Sequence, residues 1–388
     1  MKPIIKNSLA LMLLLLPVTE VMAKKDVECK TIAPTKQLHV NVGGAVFLGP
    51  DAPIGKVLYQ SYVDASAYNY NYQCHADYSR GDEYDFVMRE ASKMLSISGS
   101  IVTGAGIPDA VYKTNVPGIG VRFFIAQNFN RPIIAGQTLD ISGDVVRHLA
   151  KDVYGGLDVQ YWGKPYLSFS LIKIGPITPG NVNFTARNQT IISFPNERLD
   201  RVKAPQFPYT FFDTYITASI NVTSSSCKTS DYTVELGKHK LSELPAKGST
   251  TNWINSDIIL TNCPAFRGYY SGYRGNILST EKNQTFPDRS PNEIKVRIKP
   301  ANPTISTYPG TFAINNTPAA ATGVGIQLSF GSTGEDFVSF NTLKTFSQPP
   351  SERAGNVTIP LRARYIRVDD RISAGRADGA ATFMIEYY

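Results

Sequence analysis

Apolar residues recur at every second position of this 388-residue chain, in short runs separated by glycine and proline. The run Glu293–Ile298 alternates throughout, as do Leu38–Val42 and Val324–Phe330. Pro117-Gly118 and Pro179-Gly180 are turn signals between such runs. A period of two places successive side chains on opposite faces of a strand, whereas a helix needs a period of 3.6. The pattern therefore predicts an all-β protein of sandwich type, with short strands joined by turns.

The first 23 residues have the pattern of a secretory signal peptide. Lys2 and Lys6 are positive, Leu9–Leu16 is apolar, and Val21-Met22-Ala23 fits a small-x-small cleavage site. The apolar run is far shorter than the roughly 20 residues that a membrane-spanning helix needs. We therefore expect residues 1–23 to be removed and an exported, secreted chain to start near Lys24.

The remaining length favours two domains, because about 365 residues are too many for one β-sandwich. The segment Lys203–Tyr209 contains two prolines, which disfavour both a helix and a central strand. We take this segment as the linker. The predicted domains are residues 24–205 and residues 206–388.

Four cysteines are present, which suits disulfides formed outside the cytosol. Three connectivities are possible. Local pairing would join Cys29 to Cys74 and Cys227 to Cys263, one bridge in each half. Each bridge would close a loop of roughly 40 residues and contribute about 4 kcal/mol in the chain-entropy model. The spacings fit no structural zinc motif.

Charge and motifs argue against several other functions. The formal net charge of +7 is spread along the chain, and no basic nucleic-acid-binding motif accompanies it. The sequence contains no nucleophile elbow, no HExxH and no P-loop. We therefore expect a binding protein rather than an enzyme, with no cofactor and no nucleic-acid partner.

The C-terminal residues form one more alternating run. Within Thr382–Tyr388, the side chains of Phe383, Ile385 and Tyr387 fall on one face. Chain ends usually fray, so a strand at this position needs a partner that holds it.

This end of the chain resembles the subunits of chaperone–usher pili. Gly375 is the fourteenth residue from the end, small and apolar positions alternate after it, and Tyr387 is penultimate. Ala321–Leu328 resembles a strand of pilin domains, and Cys227 and Cys263 lie where the pilin disulfide would be. The resemblance covers roughly residues 210–388.

The resemblance implies an immunoglobulin-like sandwich that lacks its last strand. A periplasmic chaperone would lend a strand to the gap, and the next pilus subunit would replace it after passage through the outer-membrane usher. Phe383, Ile385 and Tyr387 would line the resulting groove, and the carboxylate of Tyr388 would dock on basic residues of the chaperone.

The family's ordinary subunits begin with a short donor strand, whereas about 180 residues precede the pilin-like part here. A subunit without a free donor strand can only be last in line. The resemblance therefore implies an adhesin at the extracellular tip of the fimbria, with an N-terminal receptor-binding domain of immunoglobulin-like or jelly-roll type.

The N-terminal half is similar to the mannose-binding lectin of type 1 fimbriae at one place. Cys74-His-Ala-Asp77-Tyr78 is followed by Asp85-Phe-Val87. The resemblance implies that Asp85 accepts hydrogen bonds from sugar hydroxyls and that Tyr78 packs at the pocket rim, with Asp77 between. The partner would be a host glycan or glycoprotein. The predicted mature chain starts at Lys24 rather than at the phenylalanine of that lectin, so the sugar is not specified.

Two alternatives remain for the N-terminal half. It could belong to a minor or adaptor pilin that binds a protein or surface, or to a zinc-dependent adhesin that uses His39, His75 and His148, although their spacing shows no motif. Seven tyrosines could form a stacking surface for sugars or pack inside the sandwich: Tyr59, Tyr62, Tyr68, Tyr70, Tyr72, Tyr78 and Tyr84.

Overall fold

The computed structural model describes residues 26–65, 67–68, 70–76, 83–125, 131–149, 157–163, 167–195, 201–272 and 275–388. The predicted signal peptide lies outside these ranges. The described residues confirm the all-β prediction. They form 27 strands and one 3₁₀ turn, at Leu241–Glu243. Within these ranges, no helix is long and apolar enough to cross a membrane.

The strands of the first part of the chain, in chain order, are β1 (Asp26–Thr31), β2 (Lys36–Phe47), β3 (Val57–Val63), β4 (Tyr70–Ala76), β5 (Glu83–Ile97), β6 (Ile101–Val102), β7 (Val111–Lys113), β8 (Ile119–Ile125), β9 (Arg131–Pro132), β10 (Thr138–Leu149), β11 (Leu157–Gly163), β12 (Leu167–Lys173), β13 (Gly180–Ser193), β14 (Arg201–Lys203) and β15 (Tyr209–Thr223).

The strands that follow are β16 (Ile254–Asn255), β17 (Ile258–Cys263), β18 (Ile277–Ser279), β19 (Gln284–Thr285), β20 (Asn292–Pro300), β21 (Thr311–Ala313), β22 (Val324–Phe330), β23 (Asp336–Phe337), β24 (Leu343–Gln348), β25 (Gly355–Ile359), β26 (Leu361–Arg367) and β27 (Ala381–Tyr387).

Two large sheets enclose the N-terminal core. One has the order β10-β5-β13-β15-β2, and the other runs β19-β18-β3-β12-β8-β7-β6 with β9 beside β8. Every residue of β12 is buried, and the ring of Phe169 packs against those of Phe123, Phe184 and Tyr59 at 5.2–6.0 Å. Apolar side chains from both sheets therefore fill this core.

A smaller sheet, β11-β4-β1-β14, lies beside the first. Cys29 of β1 and Cys74 of β4 are direct cross-strand partners and form a disulfide. Beneath it, the buried ring of Tyr72 contacts Phe194, Phe207 and Phe211. The disulfide ties β1 to β4 within the small sheet, and the aromatic cluster packs this sheet against the sandwich.

Strand β15 belongs to the N-terminal sheet, although it lies beyond the predicted boundary at residue 205. It pairs in parallel with β2 over twelve residue pairs and antiparallel with β13, and it places Ile216 and Ile220 in the N-terminal core. Phe207, within the predicted linker, packs 4.7 Å from the ring of Phe194. Apolar residues on both sides of the prolines are thus buried in the first unit.

The C-terminal part forms a second, separate core. Its strands are arranged as β16-β26-β22-β21, β24-β20-β27 and β17-β25. The Cys227–Cys263 disulfide lies at its edge, so both bridges join locally paired cysteines. Leu260, Ile294 and Val296 are fully buried here.

The two cores meet through crossing segments. Phe47, the last residue of β2, lies in the C-terminal core and packs edge-on against Phe266 at 5.1 Å. In the other direction, Ile277 of β18 lies in the N-terminal core, and β18 pairs in parallel with β3. The Asn292 side chain donates to the carbonyl of Phe47 at this junction, at 3.1 Å.

Candidate functional site

The last strand, β27, presents alternate side chains to the C-terminal core, as its sequence predicts. Phe383, Ile385 and Tyr387 lie opposite Ile298, Val296 and Ile294 of β20, respectively. Tyr387 is buried, and its ring stacks on that of Phe266 with centroids 6.5 Å apart. Burial raises the pKa of the Tyr387 phenol. On the other face, Met384 is 54% exposed.

One edge of β27 is open. Among the described strands it pairs only with β20. Tyr388 exchanges both backbone bonds with Glu293 of the β20 strand, whereas the N–H and C=O of Tyr387 point the other way. In an antiparallel ladder this direction alternates residue by residue. The backbone groups of Ile385 and Phe383 therefore point into the open side, where they offer an edge for another strand.

A second unpaired segment faces this edge. Within the described residues, no backbone–backbone hydrogen bond involves residues 229–239. Val234 and Leu236 nevertheless pack on the C-terminal core. Tyr232 reaches across to Phe383, with ring centroids 6.2 Å apart, and its hydroxyl donates to the carbonyl of Ser256 at 2.9 Å. The two edges thus flank a gap in the sandwich.

The gap is a groove with a cavity volume of about 1040 Å³. Residues 231–241 form one wall, and residues 373–381 together with Phe383 form the other. Core side chains form its floor: Ile258, Ile298, Phe312, Ile326, Leu328, Leu361 and Ala363. A β-strand with apolar side chains would cover this floor and could pair with the unpaired backbone edges on either side of it.

Two glycines explain the small positions that precede β27. A Cβ on Gly375 would lie 2.3 Å from the backbone nitrogen of Ala321, so only glycine allows the chain to pass there. A Cβ on Gly379 would lie 2.8 Å from side-chain atoms of Ile326 and Phe312. These contacts hold the 373–381 wall close to the core.

A histidine stabilises the other wall of the groove, which residues 231–241 form. His239 Nδ1 is 2.8 Å from Glu243 Oε2, and its Nε2 is 2.9 Å from the carbonyl oxygen of Leu236. The hydrogen bond with the Glu243 carboxylate, together with the bond to Leu236, raises the pKa of His239 above 6.5. Both ring nitrogens donate only in the imidazolium form, which therefore suits this site best.

Tyr388 is placed differently from the three alternating residues before it. Its side chain packs against the N-terminal core, and the Lys295 ammonium lies 3.8 Å from its ring centroid. Its terminal oxygen accepts from the N–H of Glu293 at 3.0 Å and from the Asn292 amide at 3.3 Å. Tyr388 thus lies at the junction of the two cores. Of the four residues predicted to line the groove, Phe383 does so, Ile385 and Tyr387 line a smaller cavity next to it, and Tyr388 lines neither.

The lectin-like residues are described only in part. Asp77 and Tyr78 lie outside the described residues. The backbone of Asp85 lies in β5, opposite Arg147 of β10. Their role in binding therefore stays a prediction.

Two of the seven tyrosines are core residues. Tyr59 and Tyr72 have no exposed surface, and burial raises the pKa of both phenols. In the described part of the chain, no group of three or more His, Cys, Asp or Glu side chains could hold a metal ion. His148 is described only by its backbone, in β10.

The structure brings together a polar row that the sequence does not reveal. Arg187, Tyr215 and His39 lie side by side on β13, β15 and β2. The His39 and Tyr215 rings stack with centroids 4.9 Å apart, and the Arg187 guanidinium lies 4.9 Å from the Tyr215 ring centroid. Arg187 also binds both carboxylate oxygens of Asp213 at 2.6 and 2.9 Å, which lowers the pKa of Asp213 and raises that of Arg187. We call these four residues the sheet row.

Comparison with known proteins supports the predicted resemblance of the C-terminal part to pilus subunits. The family model described as "Fimbrial protein" matches residues 215–388, which confirms the resemblance to pilus subunits there. No curated protein matches the chain.

Three solved structures with low similarity are adhesins. The CupB6 tip adhesin of Pseudomonas aeruginosa is 17% identical, with a TM-score of 0.31, over 87% of this chain and 88% of that one. The receptor binding domain of the adhesin MrkD1P of Klebsiella pneumoniae is 19% identical, with a TM-score of 0.26, over 52% and 98%. CfaE, the adhesive subunit of CFA/I fimbria of enterotoxigenic Escherichia coli, is 12% identical, with a TM-score of 0.20, over 92% and 99%.

Proposed function

We propose that this protein is a fimbrial tip adhesin whose C-terminal part accepts a β-strand from another protein and whose N-terminal part binds a host glycan. The observation that carries the proposal is the open groove beside β27, which lies within the residues that match the fimbrial family. The groove combines an apolar floor with two unpaired backbone edges, so an added strand would gain both kinds of contact.

The strand donors in this proposal are a periplasmic chaperone during export and the next subunit in the pilus, with an outer-membrane usher between them. The first described strand supports a position at the tip. β1 pairs with both β4 and β14, and Cys29 ties it to Cys74. It is therefore not available to complement a further subunit.

The groove is tested by substituting Tyr387 with alanine. Tyr387 is buried against Phe266, so Tyr387→Ala should distort β27, prevent strand capture and deplete the protein from the periplasm. Met384→Ala is the matched control, because Met384 lies on the exposed face of the same strand. Immunoblots of periplasmic extracts would compare the two. Wild-type accumulation of Tyr387→Ala would contradict the strand-accepting role.

The proposed ligand-binding unit extends further than the sequence suggests. β15 completes the N-terminal sheet, and Cys227 is already in contact with the C-terminal core. We therefore place the domain boundary between Thr223 and Cys227. A fragment that stops at residue 205 would lose a strand that pairs on both sides.

Ligand binding is tested on a glycan array with the full chain and with Asp85→Ala. Asp140→Ala is the matched control, since Asp140 is an exposed aspartate of β10 in the same sheet. A sugar bound by the wild type and the control, but not by Asp85→Ala, would support the lectin-like site. Binding that survives in Asp85→Ala would show that the sugar binds elsewhere. The sheet row would then be tested by Tyr215→Ala.

The alternatives predict other outcomes of the same array. Binding that a chelator abolishes would favour a zinc-dependent adhesin. The absence of any glycan signal from the folded chain would favour a protein ligand or an adaptor role.

A further inference from the structure

One end of the groove is formed by the N-terminal part of the chain. The N–H of Asp51 donates to the carbonyl of Tyr387 at 3.0 Å, and Asp51 Oδ2 accepts from the Tyr387 N–H at 2.8 Å. Asp51 thus makes, with its backbone and its side chain, the two hydrogen bonds that a neighbouring strand would make to Tyr387. An added strand can therefore pair with β27 only up to Ile385.

The segment that carries Asp51 is held from both sides. The ammonium of Lys173, a residue that is only 4% exposed, donates to the carbonyls of Pro50 and Ala52. A Cβ on Gly49 would lie 2.1 Å from the Tyr387 carbonyl oxygen, so the two backbones are in direct contact there. The segment is an anchored end wall rather than a free loop over the groove.

A small cavity of about 330 Å³ lies next to this end wall. Asp51, Ser226, Thr229 and Ile385 are among its lining residues, and it continues the line of the groove along β27. Asp51 itself is exposed, and among the described residues its side chain accepts a hydrogen bond through Oδ2, from Tyr387, and none through Oδ1. The end of the groove therefore presents a carboxylate oxygen to whatever fills the cavity.

We infer that Asp51 binds the α-ammonium group of the strand that fills the groove, which fixes both the direction and the register of that strand. This inference rests on the proposed strand-accepting function. A strand antiparallel to β27 begins at the Tyr387 end, so its amino terminus meets the Asp51 carboxylate. A strand parallel to β27 and of matching length would end there with its own carboxylate, which Asp51 would repel.

The other charges around Asp51 are compatible with this role. Lys173 attracts the Asp51 carboxylate, but its ammonium is occupied by the two carbonyls beneath it. At the opposite end of the groove, Asp378 pairs with Arg376, so its charge is compensated. The two ends therefore differ in the chemistry that they offer to a chain terminus.

The test uses two synthetic peptides and the full chain. Both are 12-residue peptides of alternating valine and threonine that carry a C-terminal amide and a dye near the C-terminus. One peptide has a free amino terminus and the other is N-acetylated. Fluorescence anisotropy at pH 7 measures their affinities. We expect the free-amine peptide to bind about fivefold more tightly, the upper range for an exposed ion pair. The preference should disappear above pH ~9, where the amine is neutral.

Two variants locate the effect. Asp51→Asn keeps an acceptor for the Tyr387 N–H but removes the charge, so both peptides should bind it equally. Asp378→Asn, at the other end of the groove, should keep the preference. Urea unfolding of both variants checks that the fold is retained.

Four outcomes would overturn the inference. Equal affinities on the wild type, or a preference that survives in Asp51→Asn, would show that Asp51 does not bind the ammonium. A preference lost in Asp378→Asn would show that the strand runs in the parallel direction. If neither peptide binds, the strand-accepting groove fails as well, which separates failure of the proposed function from failure of this inference.

Discussion

The two cores of this protein differ in how completely their own chain covers them. In the N-terminal core, Phe169 and Phe123 are fully buried between two sheets of five and eight strands. In the C-terminal core, Phe312 and Leu328 form the floor of a groove of about 1040 Å³. Both cores follow the same period-two pattern, so the difference lies in the number of strands that the chain supplies. Under the proposed function, a strand from another protein would cover the open part of the C-terminal core.

A strand supplied to the groove should remove the difference in coverage between the two cores. An alternating valine–threonine strand fused after Tyr388 through a four-residue turn should bury about four apolar side chains. At about 1.5 kcal/mol each, this would stabilise the C-terminal part by about 6 kcal/mol. The thermal midpoint of that part should rise by about 10 °C or more.

The readout uses the chain's two tryptophans, Trp162 in β11 and Trp253 in the C-terminal part. Trp162→Phe leaves Trp253 fluorescence as a probe of the C-terminal part alone. The matched control is a fusion in which serine replaces every valine. An equal gain from both fusions would mean that the groove does not select apolar side chains.

A pair of core substitutions compares the closed core with the open one. Phe169→Ala should cost about 4 kcal/mol of unfolding free energy, because it leaves a void inside a packed core. Phe312→Ala should cost only about 2 kcal/mol, below the usual range of about 3–5 kcal/mol for Phe→Ala, because one side of Phe312 already faces the groove. Urea unfolding followed by the tryptophan of each part gives both values. Equal costs would contradict the difference in coverage.

A pair of glycine substitutions tests the wall of the groove. Gly375→Ala should destabilise the C-terminal part by about 2 kcal/mol, because its Cβ would collide with the Ala320–Ala321 backbone. Gly355→Ala is the control, since its Cβ would meet nothing within 4 Å, and it should change stability by less than about 1 kcal/mol. The same urea titration measures both. If the two variants behave alike, the close approach does not constrain the wall.

We also expect a weak pH dependence of stability that is confined to the C-terminal part. The pKa of His239 is raised in the folded state, chiefly by Glu243. Its stabilising contribution is therefore fully present below the unfolded value of about 6.5 and is lost as pH rises through the folded pKa. The Trp253-monitored midpoint should fall slightly between pH 6 and pH 8. His239→Gln should remove this slope, and a slope that persists would assign it to another group.

The alternating sequence predicted several of the strands and the orientation of their side chains. Val324–Phe330 is β22 as predicted, and Phe383, Ile385 and Tyr387 share the face that the pattern assigns to them. The opposite wall was not predicted, although the alternation of Tyr232, Val234 and Leu236 is a signal that could have indicated it. These features are local: a period of two decides which face a side chain occupies, whatever its partner strand.

Only the tertiary structure decided which strands pair. Tyr215 lies beside His39 because β15 runs parallel to β2, a pairing between strands more than 160 residues apart in sequence. The same long-range packing buries Tyr59 and Tyr72 and places Asp51 against Tyr387. The alternation of a strand is the same whichever strand lies beside it, so it cannot identify the partner. The sequence therefore determined the strands and their faces. The joint burial of both cores decided which strands pair and where the groove ends.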